Sequence, residues 1–369
     1  MGYDVVIAGG SLAGLSAAIH CAGKGARALL VDPKADLGMF KCAEGAMEGS
    51  LSRAGFPPSP EWVTLGLYKL RMVSPAGRVL DARNRYKKLC MLDRTKLQLK
   101  MLGMAKDRGC EVRTGVRAGR FDLESGTLQL AGGEPVGART FIDATGTAAA
   151  LGRQCGVPRL SRDCLAIVAQ WTMRATGLEE DSYQLYFGST HHSPGGYSWI
   201  FPKGKGLFNV GAGGLASRMP KGILPRELVE RFIRDRVPGP GKRLRFVASF
   251  LPCCPPLERP AMKSADGRHS LLLAGDAARL CVASVQAGIG SALQSGRWAG
   301  ENWDAPEKYQ AVLKEGMYRR LHASHRFKMG ILSDGDLEGL FRRTIRSMGI
   351  LHKLFPAWVE ERAVDLLGF

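Results

Sequence analysis

Asp4-Val5-Val6-Ile7-Ala8-Gly9-Gly10-Ser11-Leu12-Ala13-Gly14 stands at the start of the chain. It reads as a buried strand, a glycine-rich turn and the opening of a helix that continues through Leu15-Ser16-Ala17-Ala18-Ile19. A second apolar run, Ala28-Leu29-Leu30-Val31, ends at Asp32, eighteen residues past Gly14. A dinucleotide-binding fold sets the acid that binds a ribose hydroxyl at this place. Gly9 allows the tight turn, Gly14 lets helix and strand approach closely, and the free amides around Ser11, Leu12 and Ala13 attract a pyrophosphate. Ser11 fills the usual second glycine position with a small side chain. The expected cofactor contacts here are Gly9, Ser11, Leu12, Ala13, Gly14 and Asp32.

One such unit does not separate NAD from FAD; two later segments do. Phe141-Ile142-Asp143-Ala144-Thr145-Gly146 and Leu271-Leu272-Leu273-Ala274-Gly275-Asp276-Ala277-Ala278 each bring an apolar strand to a turn, and both are similar to segments of FAD-binding oxidoreductases. Gly275 and Asp276 are expected on the ribityl and pyrophosphate side. Gly288-Ile289-Gly290, opening a helix at Ser291, sets backbone amides toward the flavin N1–C2 carbonyl.

Length and composition bound the remaining choices. The chain has 369 residues, 45% hydrophobic and 23% charged, long enough for two or three structural units with a large core. No apolar stretch reaches bilayer length and the N-terminus carries no signal pattern, so a cytoplasmic protein is expected. Nine cysteines without Cys-x-x-Cys spacing read as reduced thiols, with no metal site. His191-His192, His322 and His325 lack acidic or Cys companions at ligand spacing. The net charge of +18 concentrates in Lys69–Lys100 and Lys203–Arg245, blocks that suit phosphate groups or an anionic lipid surface as well as plain solvation. No motif that reads nucleic acid accompanies them.

Taken in order, these pieces resemble the FAD-dependent geranylgeranyl reductase family of the p-hydroxybenzoate hydroxylase-like flavoproteins, across most of residues 1–300. Lys41-Cys42-Ala43-Glu44-Gly45 is similar to the family's Cys-Ala-Glu-Gly segment beside the flavin, and Asp93-Arg94 to its Arg ahead of a helix. Tyr197-Ser198-Trp199-Ile200-Phe201-Pro202-Lys203, followed by Gly211-Ala212-Gly213, is similar to its aromatic and glycine motif. Independently of any family, Tyr197 and Trp199 alternate onto one face of a strand, and Gly211 and Gly213 leave room on a neighbouring one. The resemblance implies FAD as cofactor, with Arg94 among its contacts and Gly288, Ile289 and Gly290 at the flavin. It implies Cys42, Tyr197 and Trp199 as catalytic residues, and Tyr197, Trp199, Gly211 and Gly213 as the substrate slot. Where the family has Gly, Pro and Gly after Gly275-Asp276, this chain has Arg279, Ala283 and Gln286. Arg279 is expected to place positive charge near the flavin.

The implied activity is reduction of isoprenoid carbon–carbon double bonds on a prenyl diphosphate or prenylated lipid, with electrons from NADPH or ferredoxin. A flavin-dependent monooxygenase or halogenase acting on an aromatic compound is the alternative, since those enzymes share the fold and carry aromatic–Pro strands like Trp199-Ile200-Phe201-Pro202. The expected architecture is α/β: a Rossmann-type FAD-binding domain (1–48, 92–152 and 262–304) with an inserted strand-rich α+β substrate domain (49–91 and 153–261). A C-terminal helical segment (305–369) completes it. Leu337, Leu340, Phe341, Ile345, Met348, Leu351 and Phe355 recur at three-and-four spacing, as a helix capping the substrate domain or touching the inner face of a membrane requires.

Overall fold

The structure is a computed structural model that describes residues 2–83, 88–189, 191–331 and 333–354. Arg85, Lys87 and Phe355, which belong to the basic block and the terminal helical pattern, lie outside the described residues. Strands Tyr3–Ala8, Ala28–Asp32, Glu111–Thr114, Val136–Asp143 and Ser270–Leu273 form a parallel sheet, and Ala261–Lys263 adds an antiparallel edge. Four of these runs, from Val5, Leu29, Phe141 and Leu271 onward, are almost wholly withdrawn from water, as parallel strands covered on both faces must be. The helix Leu12–Gly23 packs on the helix Ile289–Glu301 so closely that a Cβ on Gly296 would sit 2.1 Å from the Ala13 carbonyl oxygen. Small residues thereby hold the pyrophosphate-type turn and the second FAD-type segment against each other.

A second sheet has seven strands in the order Lys242–Pro252, Leu165–Arg174, Leu207–Leu215, Ser193–Gly204, Ser182–Ser189, Lys69–Val73 and Val79–Arg83. All pairings are antiparallel except Lys69–Val73 with Ser182–Ser189. Helix Pro225–Arg236 covers one face with Leu228, Val229, Phe232 and Ile233. A small sheet of Gly45–Met47, Leu89–Leu92 and Val63–Leu67 bridges the Cys42 loop to the large one. The mixed architecture is therefore the α/β arrangement the sequence predicts.

Helix Asp334–Leu354 crosses the end of the seven-stranded sheet: Phe341 meets Phe187 at 6.0 Å between ring centroids, and Glu338 accepts from the Ala76 amide and Arg78 Nε. Among the described residues no helix is long and apolar enough to cross a membrane.

Candidate active site

Both halves of the glycine turn show why a side chain is excluded. Gly9 has φ +104°, and a Cβ there would lie 2.3 Å from the Ala144 carbonyl oxygen. A Cβ on Gly14 would lie 1.7 Å from the Gly9 carbonyl oxygen. Asp32, buried at the end of its strand, accepts from the Gly10 amide at 2.6 Å and the Lys34 amide at 2.8 Å. Its first action is to fix the turn, a role the sequence spacing does not reveal. Asp143 acts likewise at the next turn, accepting from the Thr145 amide and hydroxyl and from the Leu151 and Gly152 amides.

Between the turns and the seven-stranded sheet lies a cavity of about 300 Å3. Ser11, Leu12 and Ala13 line it from the start of the helix Leu12–Gly23, Gly275 and Asp276 from the second FAD-type segment, and Gly288, Ile289 and Gly290 from the start of the helix Ile289–Glu301. Cys42, Arg94, Tyr197 and Trp199 line it too. Gly9, Gly14 and Asp32 stand behind this wall and shape it, and so do Gly211 and Gly213. Tyr197 pairs with Gly213 and Trp199 with Gly211. A Cβ on Gly211 would meet the Trp199 ring at 2.1 Å, so the missing side chain is replaced by the indole itself, laid flat on the strand. Tyr197 and Trp199 continue through Phe201 to Tyr183, with centroid spacings of 5.9, 6.2 and 4.9 Å. The result is a row of rings along one face.

Polar residues absent from the motifs hold this row in register with the Cys42 loop. Trp199 Nε1 donates to Gln170 Oε1 at 3.2 Å, and Gln170 Nε2 donates to the Cys42 carbonyl at 2.9 Å. Asn209 Nδ2 donates to the Ala43 carbonyl and to Glu44 Oε2, which also receives Lys203 Nζ. Glu44 is buried and has φ +71°, so backbone and side chain are both fixed here. No local signal marks Gln170 or Asn209, because each meets its partner only through strand pairing. Burial pushes the Cys42 thiol up, against the pull of the Arg94 charge, so Sγ keeps its proton at neutral pH.

The basic blocks are dispersed. Lys69 and Arg71 meet Glu179, Arg71 also meets Asp81, Arg78 meets Glu338, and Arg243 meets Glu230. Arg226 lies over Trp171 and Arg245 over Phe40. From both blocks Arg94 alone lines the cavity among the described residues; the other cations there are Lys41, Arg53 and Arg320. Arg279 departs from expectation as well. With φ +61° its guanidinium leaves the cavity and donates to the Pro158 carbonyl at 2.9 Å.

The cavity fits a large polar cofactor because it keeps buried polar atoms without partners among the described residues. Arg94 Nε, Tyr183 Oη, Arg320 Nε and both amide atoms of Gln286 are such atoms, and groups of this kind demand a ligand. Asp276 faces the cavity with no hydrogen-bond partner among the described residues, and burial raises its carboxyl to about 6. A raised carboxyl pKa favours the folded apoprotein when the group is protonated. That contribution, up to ~3 kcal/mol, is complete below the ordinary value near 3.8 and is lost as pH rises through about 6. The thermal midpoint of the apoprotein relative to an Asp276→Asn variant is therefore expected to climb as pH falls from 6 to 4. A pH-independent difference between the two proteins refutes the assignment.

Sequence comparison agrees with this geometry. Residues 165–250 match the geranylgeranyl reductase catalytic domain, and residues 4–163 match the FAD dependent oxidoreductase family. A digeranylgeranylglycerophospholipid reductase from Methanoculleus marisnigri is 31% identical over 311 residues, covering 81% of this chain and 76% of the relative. A second from Methanopyrus kandleri is 33% identical, covering 82% and 76%. The chain belongs to the geranylgeranyl reductase family. Within it, the chain is an FAD-dependent oxidoreductase. A solved geranylgeranyl bacteriochlorophyll reductase-like protein from Thermoplasma acidophilum superposes with a TM-score of 0.83 at 25% identity, covering 92% of this chain and 90% of that one. Halogenase PltM superposes at 0.69 with 15% identity over 99% of this chain and 83% of its own, a likeness of fold alone. The geranylgeranyl reductase match spans the strands that carry Gln170, Tyr197, Trp199 and Asn209.

Proposed function

We propose that this chain saturates the carbon–carbon double bonds of isoprenoid chains attached to a phosphate-bearing lipid. The observation that carries the reading is the row Tyr183, Phe201, Trp199, Tyr197 lying along the cavity that the Gly288–Gly290 helix start closes. The names of the two archaeal relatives support it. In this reading residues 1–48, 92–152 and 262–304 hold the cofactor, and 49–91 with 153–261 supply the substrate wall.

Ser11, Leu12 and Ala13 offer amides to the pyrophosphate, and Asp32 keeps a lone pair on each oxygen for the ribose. Asp276 and Arg94 would hold the remaining polar edge, and the Gly288–Gly290 amides would hold the flavin carbonyl. Bound and reduced FAD supplies a hydride equivalent for one alkene carbon. The wall of rings excludes water, fixes the chain over the reacting position and presents π faces to positive charge that develops on the second carbon. Cys42, protonated at Sγ, holds a proton within the same cavity. One hydride and one proton, that is two electrons and two protons, are thus added per bond, with a further proton from solvent restoring the thiol. The electrons come from NADPH or a ferredoxin. Exposed Lys41 on the cavity lining, with exposed Met39 two residues before it in the chain, suits peripheral contact with an anionic lipid surface.

Arg320 and Arg53 both line the cavity, and burial together with the like charge of Arg53 depresses the Arg320 pKa. Such a pair is relieved by an anion, so we assign it to the lipid phosphate. Reduced enzyme mixed without oxygen with a geranylgeranyl phospholipid, the diphosphate and the free alcohol tests this. The reading expects the phosphorylated compounds to reoxidise the flavin, and Arg320→Gln to weaken them about tenfold (~1.4 kcal/mol) while sparing the alcohol. Reoxidation by none of the three defeats the reading.

A further inference from the structure

Gln286 occupies a backbone conformation that ordinarily belongs to glycine. Its φ is +51°, at a place where the resemblance to the family leads one to expect Gly. The loop around it leaves no slack: Tyr197 Oη donates to the Val285 carbonyl at 2.5 Å, the Ser284 amide donates to Ser324 Oγ at 2.9 Å, and the Val282 amide donates to the Ala287 carbonyl at 3.0 Å. A strained residue held this firmly points to a side chain needed where it is. The side chain is 8% exposed, yet neither Nε2 nor Oε1 has a partner among the described residues. Gln286 is part of the cavity wall, two residues before the Gly288–Gly290 helix start.

We propose that Gln286 is a positioning residue that hydrogen-bonds the pyrimidine edge of the flavin. The choice of partner follows from chemistry. A carboxamide presents one donor beside one acceptor, and an imide edge, C=O beside N–H, answers both at once. A prenyl chain has no polar atom to offer, and the phosphate accepts without donating. The inference rests on the flavin lying in this cavity, and adds a contact that a glycine at this position cannot make. Because negative charge gathers on the pyrimidine carbonyls when the flavin is reduced, a donor at that edge favours the reduced cofactor.

The test uses full-length protein with Gln286→Leu and Gln286→Gly, the second of which accepts the positive φ without penalty. FAD affinity of the apoprotein, midpoint potential of the holoprotein and thermal midpoint of the apoprotein are measured. Both variants are expected to bind FAD about tenfold more weakly. Both are expected to lower the potential by ~30 mV, a tenfold change in the ratio of affinities for a two-electron couple. The Gln286→Gly apoprotein is expected to melt no lower than the parent, so that weaker FAD binding is not loss of fold. Unchanged affinity and potential in Gln286→Gly overturn the inference, including the case where Gln286→Leu alone loses FAD through bulk. If the parent forms no saturated prenyl product while the variants shift the potential, the substrate reading fails and this inference stands.

Discussion

Gly14→Val produces a chain without bound FAD. The first atom of the new side chain falls 1.7 Å from the Gly9 carbonyl oxygen and 3.3 Å from the Ala144 Cβ, and neither a backbone oxygen nor a Cβ can rotate away. Relief requires the helix Leu12–Gly23 to lift from its strand. That helix is also pinned from the other side, where Gly296 and Gly300 approach the Ala13 and Ala17 carbonyls too closely for any Cβ. Overpacking of a dense core costs about 1–3 kcal/mol where side chains can adjust; here backbone faces backbone, and ~3 kcal/mol or more is expected. That is a loss of at least about a hundredfold in FAD affinity if the turn alone absorbs it. Titrating apoprotein with FAD, alongside a thermal melt, measures both parts. Parent-like affinity in the variant contradicts the placement of the pyrophosphate at this turn.

The second large effect is expected at Glu44. Its carboxylate receives Lys203 Nζ and Asn209 Nδ2, with side chains 4% exposed at Glu44 and 17% at Lys203. Glu44→Gln leaves the ammonium without its counter-charge in a largely dry site, a change worth about 3–5 kcal/mol when one member of a buried pair is removed. The same carboxylate anchors the Cys42 loop, so turnover falls along with the melting temperature. Combining Glu44→Leu with Lys203→Met removes both charges and is expected to recover most of the stability, since apolar replacements of a buried pair are often neutral. If the single variant melts like the parent, the pair is not a structural tie.

The strand, turn and helix at residues 4–14 are legible because every contact that shapes them is local: period, glycine and distance to Asp32 all lie within about thirty residues. The face shared by Tyr197 and Trp199 is legible for the same reason, as strand alternation dictates it. What the sequence hides is who answers a side chain from afar. Gln170 and Asn209 reach the Cys42 loop from strands more than a hundred residues away. Glu179 and Glu338 meet Lys69, Arg71 and Arg78, so part of a block that looks like free charge is paired. The backbone at Arg279 turns left-handed and carries its charge out of the cavity, which no count of residues after Asp276 reveals. Gly211 reads as open space and is filled by a ring.

Purified enzyme, its FAD chemically reduced, is mixed under strict anaerobiosis with a geranylgeranyl glycerophospholipid, and the lipid is analysed by mass spectrometry. The predicted result is lipid heavier by two hydrogens for each double bond consumed, formed in proportion to flavin reoxidised and suppressed in Gly14→Val. Lipid of unchanged mass, with flavin that reoxidises only when oxygen is admitted and then inserts oxygen or halide into an aromatic compound, contradicts it.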